Sequence, residues 1–170
     1  MERSDFAMER SDVRIIGVDP GTLATGYGII EKEGCRLSYV VGGCIHNHSD
    51  TLIPKRFLRI YQELKKVFES YRPDQMAVEG LFFCKNVQAA IKLGEARGIA
   101  MLVAAENGVG VFEYAPRRVK QAVLGRGGAQ KQQVAFMMKQ ILNMSEEPHP
   151  ADAADALALA VCHAFSTRGA

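Results

Sequence analysis

Four carboxylates stand out from apolar neighbours in this sequence, and their settings suggest shared chemistry. Asp19 ends the run Ile15-Ile16-Gly17-Val18, and Glu79 ends Met76-Ala77-Val78. Asp152 and Asp155 open a stretch otherwise made mostly of Ala, Leu, Val and Phe. Acids in such settings are costly unless paired or bound to a cation. No Lys or Arg stands near Asp152 and Asp155 in sequence as an obvious partner. Three residues apart, those two share one face of a helix. Taken singly, Asp19 can cap the Pro20-Gly21 turn, and Asp152 or Asp155 can favour the positive N-terminus of a helix. One site explains all four at once. Oxygen ligands of this kind suit Mg²⁺ or Mn²⁺. Two such ions about 4 Å apart can activate water and stabilise the leaving oxygen of a phosphodiester.

That chemistry needs strands and a helix to bring the distant acids together. Val13 to Asp19 is apolar and β-branched and stops at Pro20-Gly21, a strong turn signal. Gly26 to Ile30 and Leu37 to Ile45 follow at hairpin spacing around Glu31-Lys32-Glu33-Gly34, predicting three sequential antiparallel strands. Pro54 opens a helix, where its missing N–H does no harm. Phe57, Tyr61, Leu64, Phe68 and Tyr71 form its apolar stripe, and Pro73 ends it. Gln75 to Val78 predicts a short buried strand running into Glu79. Asn86 to Asn107 predicts a long helix with Gly94 and Gly98 on one face. Paired glycines lower helix propensity, so another backbone is expected close by, across a dimer interface or within the chain. Val109 to Tyr114 predicts a further strand, and Pro116 a short basic helix broken at Gly125-Arg126-Gly127-Gly128. The next helix carries Val134, Met137, Met138 and Ile141 on one face, and a last one runs from Ala151 to about Thr167. The pattern implies a mixed sheet flanked by helices in one α/β domain over residues 13–168. Strand ends and helix N-termini are where open α/β folds place ligand sites.

Composition narrows the function classes. No apolar run approaches the roughly 18–20 residues of a membrane span, and the charged N-terminus lacks a secretory signal's apolar core. The unit MERSD occurs at 1–5 and again at 8–12, so residues 1–12 are set aside as a leader. Cys35, Cys44, Cys84 and Cys162 form no CxxC pair, and without a signal peptide reduced thiols in a cytoplasmic protein are expected. Cys44, His46 and His48 have no apparent fourth ligand, so a zinc clip is not expected. The net charge of +2 says little, but its distribution says more. From Tyr114 to Ser145 the chain carries Arg117, Arg118, Lys120, Arg126, Lys131 and Lys139 and no acid. Such a stretch is either a phosphate-holding surface or a solvated helix face.

These residues match a known pattern in order along the chain. Ile16-Gly17-Val18-Asp19-Pro20-Gly21-Thr22, followed by Thr25-Gly26-Tyr27-Gly28, resembles the opening strand and hairpin of the RuvC family of Holliday junction resolvases. Val78-Glu79-Gly80-Leu81-Phe82 resembles that family's second acid, and Lys92-Leu93-Gly94-Glu95-Ala96-Arg97-Gly98 its central helix. Phe112-Glu113-Tyr114 with Val119-Lys120-Gln121, and finally Ala151-Asp152-Ala153-Ala154-Asp155-Ala156-Leu157-Ala158, complete the likeness over about residues 13 to 165. It implies an RNase H-like fold, a five-stranded mixed β-sheet flanked by helices on both sides. It also implies a homodimer that nicks two opposed strands of a four-way DNA junction, leaving 5′-phosphate and 3′-hydroxyl ends. Asp19, Glu79, Asp152 and Asp155 would be catalytic metal ligands for two Mg²⁺ per subunit, with Mn²⁺ able to substitute. Lys120 and Lys131 would contact DNA near the cut, and Phe82, or Phe83 beside it, would meet the branch point. Arg117, Arg118 and Arg126 would extend the DNA-binding surface, and a branch-migration complex of RuvA and RuvB would be the protein partner. His149 lies near Asp152 but is not expected to serve the metal.

Rival classes fit less of the sequence. Asp19-Pro20-Gly21-Thr22 also resembles the first phosphate loop of actin-like ATPases and sugar kinases, but those clamp nucleotide between two domains and 170 residues supply one. An RNA-directed nuclease of the same fold would lack the Phe82 wedge and the long dimer helix. A junction-binding protein without activity would not need all four acids.

Overall fold

The structure is a computed structural model that describes residues 12–80, 86–125 and 131–167, with side chains from 133 onward in the last segment. Three strands, β1 (Asp12–Asp19), β2 (Ala24–Glu33) and β3 (Arg36–His46), lead into helix α1 (Ile53–Tyr71). Strand β4 (Gln75–Glu79), helix α2 (Val87–Glu106) and strand β5 (Gly110–Tyr114) follow. The chain then runs through α3 (Pro116–Leu124), α4 (Lys131–Ile141) and α5 (Ala151–Ser166). The five strands lie in the order β3-β2-β1-β4-β5. Pairing is antiparallel from β1 to β2 and β2 to β3, and parallel from β1 to β4 and β4 to β5. This is the five-stranded mixed sheet of the RNase H-like fold.

Strand alternation sends successive side chains to opposite faces, and the two faces have different helical covers. Ile16, Val18, Ile29, Met76 and Val78 pack with Leu64 and Phe68 of α1 and Val103 of α2. Ile15, Ile30, Ala77 and Tyr114 pack with Val119 of α3, Met138 of α4 and Leu157 and Val161 of α5. Helices therefore cover both sides.

Two strand boundaries shift, and one buried stripe differs from the expected one. Strand β1 begins at Asp12, inside the stretch set aside as a leader, because β2 continues far enough to pair Glu33 with Asp12. The β2–β3 hairpin is longer than the apolar alternation predicts. Its polar residues pair across the strands (Glu31 with Ser38, Glu33 with Arg36), leaving a turn at Gly34, whose φ of 58° suits glycine. In α1 the buried stripe is Ile60, Leu64, Val67 and Phe68, whereas Phe57, Tyr61 and Tyr71 are half-buried. The stripe is rotated slightly because this helix packs against α2 as well as the sheet.

The helix that carries the last two acids is the centre of the molecule. Apolar nearly all round, α5 is buried from Ala153 to Ala164 except at Asp155, as such helices must be. It lies almost in contact with the sheet backbone because the sheet beneath it is glycine. A Cβ at Gly17 would stand 1.8 Å from the Ala156 carbonyl oxygen, and one at Gly28 would stand 2.6 Å from Leu157 Cγ. Small residues on both surfaces thus fix the height of α5 above the strands. Farther along, His163 anchors the helix between strands. Its Nδ1 lies 2.6 Å from the Tyr114 hydroxyl and its Nε2 lies 2.8 Å from Gln75 Oε1.

Candidate active site

The acids converge through sheet register. Val18 of β1 pairs with Val78 of parallel β4, so the next residues, Asp19 and Glu79, end adjacent strands side by side. Ile15 and Gly17 face α5, and alternation puts Asp19 on that face too; Ala77 does the same for Glu79. Across the other edge of β1, Asp19 pairs with Gly26 of β2, and Gly26 pairs with Cys44 of β3. One rung thus reads Cys44, Gly26, Asp19, Glu79 on the α5 side.

Helix α5 fills the gap in this rung. A Cβ on Gly26 would stand 2.1 Å from the Asp152 carbonyl oxygen and 3.0 Å from Asp152 Cβ. Asp152 therefore rests directly over Gly26, between Cys44 and Asp19. One turn further on, Asp155 joins Asp19 and Glu79 in lining a cavity of about 210 Å³, closed by Pro116, Val119, Lys120, Val123, Val134, Ala158 and Leu159. Asp152 itself occupies the first turn of α5, where the helix dipole favours negative charge.

Local bonds hold the strand ends in place. The buried Thr25 hydroxyl donates to the Gly21 carbonyl at 2.7 Å, pinning the turn that follows Asp19. Asn47 braces the same loop, its side-chain amide donating to Thr22 O at 3.0 Å and its backbone N–H to Leu23 O at 2.8 Å. Gly80 N–H donates to Tyr114 O at 3.0 Å and fixes the chain just past Glu79.

Cys44 reports how acidic this corner is. Its Sγ lies 3.8 Å from Asp152 Oδ2. Burial, then the charge of Asp152 and its hydrogen bond, and then the charge of Asp19 push the thiol up to about 11. Thr25, Asn47 and Cys44 were absent from the residues singled out by sequence as site residues. Register was the missing signal, since only cross-strand pairing sets Cys44 level with Asp19.

The basic residues divide. Lys120 lines the acid cavity, the one cation given a place there among the described side chains. Arg117 is exposed on α3. Arg118 donates to Ser166 Oγ at 3.1 Å and stands 5.6 Å from the Tyr114 ring centroid, at the far end of α5 from the acids. Lys131 begins α4, with its side chain outside the described residues; Phe82, Phe83 and Arg126 lie outside them altogether. His149 lines a separate, more open cavity with Arg36, Tyr39 and Met144, away from the acid cavity. Cys44 and His46 are 3.9 Å apart. Among the described residues no three His, Cys, Asp or Glu side chains already meet in metal-binding geometry. The chemistry of the acid set nevertheless fits a hard divalent ion: all donors are carboxylate oxygens, three of them around one small cavity.

Fold and site together define an RNase H-like α/β protein with an acid-lined cavity at the carboxyl ends of its two central parallel strands. Comparison with known proteins narrows the class. The chain belongs to the RuvC family: the family model for crossover junction endodeoxyribonuclease RuvC matches residues 15–163. It is 51% identical to the crossover junction endodeoxyribonuclease RuvC of Thermotoga petrophila, over 92% of this chain and 94% of that one. Identity to the protein of the same name from Geobacter sulfurreducens is also 51%, over 91% of this chain and 93% of that one. The solved structure of Thermus thermophilus RuvC in complex with a Holliday junction substrate superposes with a TM-score of 0.85 at 36% identity, covering 92% of this chain and 95% of that one.

Proposed function

We propose that this protein is a structure-selective endonuclease that resolves four-way DNA junctions in homologous recombination and repair. It would do so by paired, symmetric, metal-dependent nicks that leave 5′-phosphate and 3′-hydroxyl ends. The observation that carries this is the cavity lined jointly by Asp19, Glu79, Asp155 and Lys120 in a chain of the RuvC family. Asp19, Glu79, Asp152 and Asp155 would hold two Mg²⁺ per subunit, with Mn²⁺ as a substitute. Bound ions would supply an activated water and neutralise charge on the departing 3′ oxygen. The chain's own residues do the rest. Converging carboxylates repel a bare phosphodiester, which makes approach of DNA conditional on divalent charge. Lys120 adds a fixed positive charge at the scissile phosphate, strongest at low salt. Arg117, Arg118, Arg126 and Lys131 extend the phosphate-binding surface, and Phe82 or Phe83 meets the branch point.

A homodimer gives two such sites on opposed strands, and α2 is the element suited to form it. Its outer face carries Val87, Ile91 and Leu102, exposed at 70%, 55% and 54%, and a Cβ at Gly98 would meet nothing within 4 Å. No described residue of the same chain therefore packs on Gly98, and a second copy of the helix would account for it. RuvA and RuvB, working as a branch-migration complex, would deliver the junction. Among the described residues no helix is long and apolar enough to cross a membrane, and the cytoplasm is the proposed compartment.

The deciding experiment offers the protein labelled four-way, duplex and RNA/DNA hybrid substrates, with and without Mg²⁺, and maps the nicks. Symmetric Mg²⁺-dependent nicks confined to the four-way substrate are expected. Preference for the hybrid, or for linear duplex, would replace this proposal with a different nuclease.

A further inference from the structure

We infer that Cys44 is a positioning residue for Asp152, holding one carboxylate oxygen from the β3 side so that the other is left for a cation. This rests on the nuclease proposal in so far as Asp152 serves the metal.

Two independent features of the structure support it. The first is the rung. Cys44, Gly26 and Asp19 are cross-strand neighbours on one face of the sheet. The middle place is glycine, and Asp152 of α5 settles into the space its side chain would have taken. Asp152 is therefore bracketed, with the thiol on one side and Asp19 on the other. Coulomb repulsion from Asp19 pushes the Asp152 carboxylate towards β3, and Cys44 is what it meets there.

The second feature is the donor geometry. Cys44 Sγ–H lies 3.8 Å from Asp152 Oδ2, within reach of a weak S–H···O bond. A half-buried cysteine in the mainly apolar run at residues 40–45 would be read as a small hydrophobe. Its sulfur also has His46 nearby, whose Nδ1 lies 3.9 Å away and which is itself exposed at the end of β3. Carboxylates that bind metal are commonly oriented by hydrogen bonds from outside the coordination shell. A thiol suits such a place because it is a weak donor: it orients an oxygen while leaving the carboxylate's charge nearly intact for the ion.

The test compares Cys44→Ala, Cys44→Val and Cys44→Ser with the unaltered dimer in three measurements. These are Mn²⁺ affinity from the free-ion paramagnetic resonance signal, the Mg²⁺ concentration giving half-maximal junction nicking, and the thermal midpoint. Alanine removes the donor, valine keeps the volume without the donor, and serine keeps a donor. The expected result is an Mn²⁺ affinity about 3- to 10-fold weaker for alanine and valine, at the lower end of the effect of losing such a partner. The Mg²⁺ requirement should rise in parallel, and serine should recover most of both. Valine matching the unaltered protein while serine fails would show that Cys44 only fills space, and would overturn the inference. Equal affinities in all four proteins would also overturn it. If the unaltered dimer bound Mn²⁺ and failed to nick junctions, the nuclease proposal would fall while the binding comparison still decided the role of Cys44.

Discussion

Gly26 offers the sharpest perturbation, because it has no chemical role and yet sets the height of Asp152. In Gly26→Ala the new Cβ would begin 2.1 Å from the Asp152 carbonyl oxygen and 2.6 Å from its carbonyl carbon. Relief to ordinary contact requires a separation of about 1 Å more. The atoms it strikes belong to helix backbone, so no side chain can swing away. Gly17 and Gly28 still seat the helix at Ala156 and Leu157, so the N-terminal turn must lift or the sheet must bend. Overpacking of this kind costs about 1–3 kcal/mol, and the thermal midpoint should fall by roughly 2–10 °C for a domain of this size. The larger effect is on chemistry. Asp152 moves by about 1 Å against Asp19, enough to lower nicking by about 10²-fold when catalysis depends on position. The assay is single-turnover nicking of a labelled four-way junction well below both midpoints. Gly42→Ala is the control, since a Cβ there meets Tyr27 O and Tyr39 Cε2 at 3.6 Å, ordinary contact. Control and unaltered protein should match. A Gly26→Ala protein that nicks within twofold of the control, with an unchanged midpoint, would refute the glycine seat.

Three further outcomes are expected. Asp19→Asn should lower nicking by at least about 10²-fold while junction binding, read by gel shift, stays within a few-fold. Leu102→Glu places a charge on the exposed face of α2 and should weaken dimerisation by about 10²-fold or more, seen by sedimentation. An unchanged dimer would move the interface elsewhere. Burial, with Lys32 adding to it, lowers the His163 pKa from its ordinary 6.5, so the folded protein favours the neutral ring. Its contribution is intact above 6.5 and is lost as pH falls through that value towards the depressed folded one. His163→Gln should therefore flatten the loss of thermal midpoint between about pH 7.5 and 5.5, and an unaltered slope would remove His163 as its cause.

How much of this was legible in the sequence follows from what each signal encodes. Asp19 and Glu79 were readable because an acid at the end of a β-branched run interrupts an otherwise clear pattern. Asp152 and Asp155 were readable as a pair on one helix face. Their division of labour was not: Asp155 looks into the cavity with Asp19 and Glu79, whereas Asp152 sits over Gly26 beside Cys44. That distinction depends on how α5 crosses the strands, which its own periodicity does not carry. The roles of Gly17, Gly26 and Gly28 were hidden for the same reason, since a strand glycine reads as a weakness until the helix above it is known. Arg118 counted as part of a basic surface, and it is exposed, but linear charge density could not show that it also bonds Ser166 at the far end of α5. Gly94 and Gly98 left two explanations open; among the described residues nothing comes within 4 Å of a Cβ at Gly98, and the dimer proposed above is what sedimentation tests.

The most direct test of the shared metal site is anomalous diffraction from crystals soaked in Mn²⁺. Manganese peaks within about 2.5 Å of carboxylate oxygens of Asp19 and at least one of Glu79, Asp152 and Asp155 are the predicted result. Manganese bound only away from these four side chains, at a concentration that supports junction nicking, would contradict it.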